Sequence, residues 1–280
     1  MKTLLALALL SAASADARVL VHGHRGSRGT RPENTLAAFR EALRAGVDVL
    51  ELDLAVTKDD VLVVSHDPLL EPALCLGPDG KPGAPVLIRS LTLAEVKAYD
   101  CGSLKNPRFP RQVPQPGERI PTLAEVLALS PTVRFNIETK VFPAHPEAAP
   151  DPAQFATVLA FALHKAKVID RVVVQSFDRR TLEAVKRFAP GVRTAMLTSD
   201  NLVDFAALAK AGSFDVISPD ADWITKDDVA ALHAMNVQVA PWTVNDEAGW
   251  ARVLEMGVDA IITDYPEDLI AYLKKKGLWK

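Results

Sequence analysis

The sequence predicts an α/β fold, a TIM (β/α)8 barrel with a small insertion subdomain after strand 2. Three observations predict it. Short β-branched runs alternate with helix-patterned stretches, as expected of βα units and a parallel sheet. Eight such units fill about 260 residues, which suits a barrel in number and in length. Polar side chains gather at the C-terminal ends of the strands, where barrels keep their chemistry. An open doubly wound sheet is the alternative that the same alternation allows. The 280 residues are 49% hydrophobic and 24% charged, with a formal net charge of −3. That composition excludes a disordered, collagenous or coiled-coil chain. No Lys/Arg run of nucleic-acid-binding type occurs, so no nucleic-acid partner is expected. Lys274, Lys275 and Lys276 read as a solvated helix end.

Residues 1–17 read as a secretory signal: Lys2, then an apolar run from Leu4 to Leu10, then the small-x-small site Ala15-Asp16-Ala17. A buried N-terminal strand or helix is the alternative. The run is too short to span a bilayer, and no later segment is long and apolar enough, so no transmembrane segment is expected. The expected location is exported, with the periplasm favoured over secretion, and the mature unit is residues 18–280.

Strand 1 falls at 19–23 and strand 2 at 49–56, with a helix over 33–45 that opens behind Pro32 and closes before Gly46. Residues 67–121 break the rhythm, holding half of the 20 prolines and both cysteines. The stretch is too long for an ordinary βα loop, so it reads as an inserted subdomain over the mouth of the barrel. Cys75 and Cys101 are the only cysteines. An oxidising compartment favours a disulfide between them, against two separate buried thiols. A helix at 122–129 behind Pro121 leads into strand 3 at 133–138. The remaining strands are expected at 172–176, 193–197, 216–218, 237–243 and 260–263. The helices with them are expected at 152–167, 178–188, 201–211, 226–235, 246–256 and 266–275.

The strand ends carry the candidate chemistry. Glu51 and Asp53 are two apart on a strand and point to one face. Two carboxylates facing one interior raise each other's pKa unless a cation sits between them. Glu138 from the next strand completes an all-oxygen site, which selects Ca2+, Mg2+ or Mn2+ over Zn2+. The alternative is a salt-bridged cluster with Arg25 and Lys140. His24 ends strand 1, and His66 lies beyond strand 2. Two histidines beside three carboxylates can divide proton transfers between a base and an acid. Arg25 can fork onto a phosphate, Gly26 permits a tight turn, and Lys140 adds a second positive charge. Cation, Arg and Lys together suit a phosphoryl group.

These residues resemble the glycerophosphodiester phosphodiesterase family. The resemblance is carried by His24-Arg25-Gly26, the run from Pro32 to Phe39, Glu51-Leu52-Asp53, His66-Asp67 and the run from Asn136 to Lys140. It continues through Gln175-Ser176-Phe177, Trp242-Thr243-Val244-Asn245, Gly257-Val258-Asp259 and the run from Thr263 to Pro266. The pieces occur in order over nearly all of the mature chain, and the ordered set is specific where any single piece is weak. The resemblance implies a TIM barrel, an insertion after strand 2, and hydrolysis of glycerophosphodiesters to sn-glycerol 3-phosphate and an alcohol. It implies that Glu51, Asp53 and Glu138 hold one divalent cation, with Ca2+ favoured and Mg2+ or Mn2+ as alternatives. It implies that His24 and His66 are the acid–base pair and that Arg25 and Lys140 bind phosphate. Glu33 would fix the His-Arg-Gly segment, while Phe177 and Trp242 would wall the glycerol end. The substrate is a small molecule whose headgroup is left open, as is the oligomeric state.

Other readings compete. His22-Gly23-His24 is similar to the metal-binding HxH of amidohydrolases, but those need further histidines on middle strands. A core role for His22 is favoured over ligation. An enzyme acting on another phosphodiester, such as a lysophospholipid, and an exported non-catalytic phosphodiester-binding barrel are the functional alternatives. Trp250 reads as core, and His145, His164 and His233 as surface or helix positions. Asp220 and Asp264 are left between substrate binding and helix capping.

Overall fold

The computed structural model describes residues 18–279, and the signal peptide expected over residues 1–17 lies outside them. Eight parallel strands run in the order expected of a barrel: β1 (Leu20–Gly23), β2 (Val49–Val56), β6 (Arg134–Thr139), β7 (Val172–Ser176), β8 (Arg193–Thr198), β9 (Val216–Pro219), β10 (Gln238–Val239) and β11 (Ala260–Thr263). β1 pairs with both β2 and β11, so the last strand lies beside the first. The segment just past β10 meets β11 through Ile262 N–H donating to Pro241 O at 3.0 Å and Val244 N–H donating to Ile262 O at 3.0 Å. The sheet is a nearly closed barrel, and the open doubly wound alternative does not hold.

Strand limits follow the apolar runs with one clear difference. The run at 237–243 yields only β10, because Pro241 has no N–H to extend the ladder. The central strands are buried on both faces, so β2 reads as an almost continuous apolar run broken only by Glu51 and Asp53.

The helices α1 (Leu36–Ala45), α3 (Leu123–Leu127), α4 (Pro152–Ala166), α5 (Arg179–Phe188), α6 (Phe205–Gly212), α7 (Lys226–His233) and α8 (Glu247–Met256) connect successive barrel strands, and α9 (Pro266–Lys275) follows β11. Their starts are set by side-chain caps, except that α9 opens with Pro266 at its first position and has no side-chain cap. Thr35 Oγ1 accepts from Ala38 N–H at 3.2 Å, which begins α1 three residues later than the helix expected over 33–45. That shift leaves Glu33 and Asn34 in a loop, where their side chains can turn back toward the barrel. Asp204 caps α6 in the same way, so α6 begins four residues later than the helix expected over 201–211. Each helix buries its apolar face against the strands in one continuous core.

After β2, the chain doubles back as β3 (Leu62–Val64), antiparallel to β2, and then enters the proline-rich stretch. There β4 (Leu69–Leu70) pairs with β5 (Val86–Leu87), and α2 (Leu93–Val96) follows. Leu70, Cys75, Ile88, Val96, Cys101 and Ile120 form a second apolar cluster against Ala55 and Val63. Cys75 and Cys101 are joined by a disulfide within it. No helix among the described residues is long and apolar enough to cross a membrane.

Candidate active site

The C-terminal ends of the strands open onto a pocket of about 300 Å3. His24, Arg25, Glu51, His66, Glu138, Lys140, Phe177 and Trp242 all line it. Asp53 lies buried beneath, and Glu33 stands behind Arg25.

The turn after β1 sets the first group. Arg25 has φ 50° and Gly26 has φ 84°. A Cβ at Gly26 would lie 2.6 Å from the backbone carbon of Ala38, so only glycine lets this turn pack against α1. His24 N–H donates to Thr263 O at 2.9 Å, fixing the turn to β11. Arg25 N–H donates to Glu51 Oε2 at 2.8 Å. Its guanidinium donates to Glu33 Oε1 at 2.6 Å and lies 3.3 Å from Asp53 Oδ2.

The β2–β6 register sets Asp53 beside Glu138. Oxygen atoms of Glu51, Asp53 and Glu138 lie within 4.8 Å of one another, and all three residues are buried. Burial pushes Glu51 well above the usual carboxylate range, and the Asp53 and Glu138 charges add to it. Glu138 is raised to about 6, chiefly by burial, with Lys140 opposing. Burial raises Asp53 too, but Lys140 and Arg25 outweigh it and hold that carboxyl well below its ordinary value. Lys140 Nζ donates to Glu138 Oε1 at 2.6 Å and lies 3.3 Å from Asp53 Oδ1. Gln175 Nε2 donates to Glu51 Oε1 at 2.9 Å, and Asn34 Nδ2 donates to Asp53 Oδ2 at 2.9 Å. Asp53 Oδ1 is buried with no hydrogen-bond donor among the described residues. Lys140 is thus shared between Asp53 and Glu138, Arg25 lies against Asp53, and Glu51 has no Lys or Arg side chain in an ion pair with it among the described residues.

Both histidines are held through Nδ1. His24 Nδ1 lies 2.7 Å from Asp264 Oδ1, and its Nε2 faces Glu51 Oε2 at 3.9 Å. Burial lowers His24 to about 4 against the opposing pull of Asp264, so the ring is neutral at pH 7. Burial alone would raise Asp264, but His24 and Arg28 hold it far below the usual carboxylate range. An ionised Asp264 only accepts, so the proton of the neutral ring resides on Nδ1 and the Nε2 lone pair faces the pocket. His66 Nδ1 lies 3.0 Å from Asp67 Oδ1, and its side chain is 33% exposed. Phe177 meets Trp242 edge-on with ring centroids 5.6 Å apart, and Trp242 Nε1 donates to Ser218 O at 2.9 Å.

The sequence model of the Glycerophosphoryl diester phosphodiesterase family matches residues 24–268. The chain belongs to this family. A glycerophosphodiester phosphodiesterase of Caldanaerobacter subterraneus subsp. tengcongensis is 33% identical over 93% of this chain and 100% of the relative. One of Bacillus subtilis is 32% identical over 92% of this chain and 87% of the relative. A solved structure from Silicibacter pomeroyi superposes with a TM-score of 0.87 at 31% identity, covering 94% of this chain and 97% of that one.

Within this family member, several pocket-side residues escaped the sequence reading. Arg28 forks onto Asp264 at 2.8 and 2.9 Å and is itself covered by the Phe109 ring at 4.7 Å. Asn245 Nδ2 donates to the same carboxylate at 2.8 Å. Asp264 therefore orients His24, a role distinct from both readings left open for it. Its place at the end of the last strand was the available signal. Asp220 serves its own loop, accepting from Asp222 N–H at 2.9 Å. His22 is buried in the barrel interior, 3.5 Å from Asn136 Nδ2, and is not among the clustered carboxylates. Trp250 is buried, and His145, His164 and His233 are exposed.

Proposed function

We propose that this family member hydrolyses glycerophosphodiesters to sn-glycerol 3-phosphate and an alcohol, with His24 and His66 as its acid–base pair and one divalent cation. The observation that carries this reading is three buried carboxylates, with oxygens within 4.8 Å, at the floor of a pocket walled by two histidines. Glu51, Asp53 and Glu138 fit a hard cation, because the donor set is all oxygen and the buried Asp53 Oδ1 lacks a donor of its own. Ca2+ is the favoured ion, with Mg2+ and Mn2+ as alternatives. When bound, such an ion supplies Lewis-acid polarisation of a phosphoryl oxygen.

The chain's own groups perform the rest. Arg25 and Lys140 direct positive charge at the phosphate, and Glu33 holds Arg25 in place. His24, neutral with its Nε2 lone pair open, takes the proton from the attacking hydroxyl, whether of water or of the substrate's glycerol. His66, more exposed and beside the Asp67 carboxylate, donates a proton to the leaving alkoxide. Phe177 and Trp242 wall the glycerol end. Residues 67–121 act as an inserted subdomain beside the mouth, and the chain is exported to the periplasm. The leader-like residues 1–17 and the Cys75–Cys101 disulfide support export.

Release of glycerol 3-phosphate from glycerophosphocholine and glycerophosphoethanolamine tests the proposal, after chelation and after adding back Ca2+, Mg2+ or Mn2+. Activity should vanish with chelator and return with one ion, and His24→Ala or His66→Ala should cut turnover about 100-fold or more. Folded variants with wild-type turnover would remove the histidines from the mechanism.

A further inference from the structure

The cations around the pocket differ in what holds them. Glu33 and Asp53 flank Arg25, Asp264 accepts the fork of Arg28, and Glu138 and Asp53 flank Lys140. Arg108 lines the same pocket from the proline-rich stretch, and it is exposed. Among the described residues its guanidinium has no carboxylate, hydrogen-bond or aromatic partner.

Its backbone, by contrast, is fixed. Arg108 N–H donates to Asn106 Oδ1 at 3.0 Å, and Asn106 N–H donates to Gln112 Oε1 at 2.8 Å. Gln112 Nε2 in turn donates to the carbonyls of Arg28 at 2.9 Å and Arg31 at 3.0 Å. Phe109, the next residue, is buried against the Arg28 guanidinium. This staple and anchor seat the turn on the segment that follows β1. His24, Glu51, Glu138 and Lys140 stand at or just past strand ends and form the floor, whereas Arg108 belongs to the rim. Charge on the floor faces the phosphate, so a rim cation meets the part of the substrate that extends beyond it.

We propose that Arg108 is a specificity-determining residue that binds an anionic group on the leaving alcohol, a proposal that rests on the phosphodiesterase reading above and names its substrate class. The enzyme then favours glycerophosphodiesters whose alcohol carries a phosphate or carboxylate over those carrying cationic choline. A guanidinium forks onto a phosphate or carboxylate, and the same charge repels a quaternary ammonium, so both effects favour the anionic substrate. At an exposed position each effect is modest, and together they give a preference of about fivefold to tenfold that shrinks with added salt.

The test compares kcat/KM for glycerophosphoglycerol bearing a terminal phosphate monoester with that for glycerophosphocholine, using ion-loaded wild type, R108A and R108K. Wild type should prefer the anionic diester, R108A should lose about fivefold to tenfold of that ratio, and R108K should keep part of it as a point charge without the fork. The ratio of Kd values for the two diesters, titrated in the His66→Ala background with and without R108A, should move in the same direction. If both diesters turn over and neither ratio moves, the proposal is overturned. Equal losses on both diesters also overturn it, because an arginine serving the shared scissile phosphate acts that way. If wild type hydrolyses neither diester while the Kd ratio still moves, the phosphodiesterase reading fails and the anion site stands; with no movement there either, both fall.

Discussion

His24 can accept a proton only while its Nδ1 keeps the one it has, and that depends on Asp264. The carboxylate is ionised across the working pH range because Arg28 and His24 hold its pKa down. Asp264→Asn keeps the shape but replaces a pure acceptor with a group that can also donate to Nδ1. The proton then moves to Nε2, and the lone pair that faces the pocket is lost. Turnover should fall about 100-fold or more with a much smaller change in KM, measured as initial rates over a substrate series. A KM effect with intact kcat would mean that Asp264 merely shapes the pocket. The sequence made His24 legible as a candidate because it ends strand 1 and forms a pair with His66 beside three carboxylates. Its partner was not legible, since Asp264 lies 240 positions away and adjacency exists only once β11 pairs with β1. Arg28 escaped for the same reason, as a charge whose only clue is a carboxylate at the far end of the chain.

At the scale of elements, short β-branched runs alternating with helix patterns located every barrel strand, because strands packed on both faces stay rich in apolar residues even where polar side chains interrupt them. Boundaries departed where one residue's chemistry intervened: Pro241 shortened β10, and the Thr35 cap delayed α1. The proline-rich stretch could be recognised as irregular but not drawn, because its path is set by scattered contacts such as Gln112 on Arg28 and Arg31. Its own apolar cluster is small, which gives the Cys75–Cys101 bond a large share in holding it. The bond spans 26 residues, and closing a loop of that length reduces unfolded-chain entropy by about 3.5 kcal/mol in the chain-entropy model. The double variant Cys75→Ser/Cys101→Ser should lose up to that amount in urea unfolding, and wild type in reductant should behave alike. An unchanged midpoint would show that the second cluster holds the stretch without the cross-link.

The whole molecule is a barrel whose apolar layers lie outside the sheet and whose interior stays partly polar, and this ties stability to solution conditions in two ways. Glu51 and Glu138 are buried and pushed toward protonation, so a bound divalent cation should stabilise the fold by about 2.7 kcal/mol at a concentration of 100 Kd. Thermal unfolding with chelator and with Ca2+ reads that shift, and Asp53→Asn should abolish most of it. Lower in the barrel, His22 borders a cavity of about 140 Å3 and is driven to about 3 by burial and by Arg134. Its ordinary value is 6.5, so between those limits the unfolded chain binds a proton that the folded chain refuses. The neutral ring therefore contributes its full stability above 6.5 and loses it as pH falls toward 3. Between pH 7 and pH 5 this one residue should cost about 2 kcal/mol of folding free energy. His24, lowered to about 4, acts in the same direction. His22→Gln keeps a polar group at the site but cannot titrate. Urea midpoints at pH 7 and pH 5 should therefore draw closer together in that variant, even if it is less stable at both. Equal pH slopes in wild type and His22→Gln would mean that His22 takes its proton in the folded barrel as readily as in the unfolded chain.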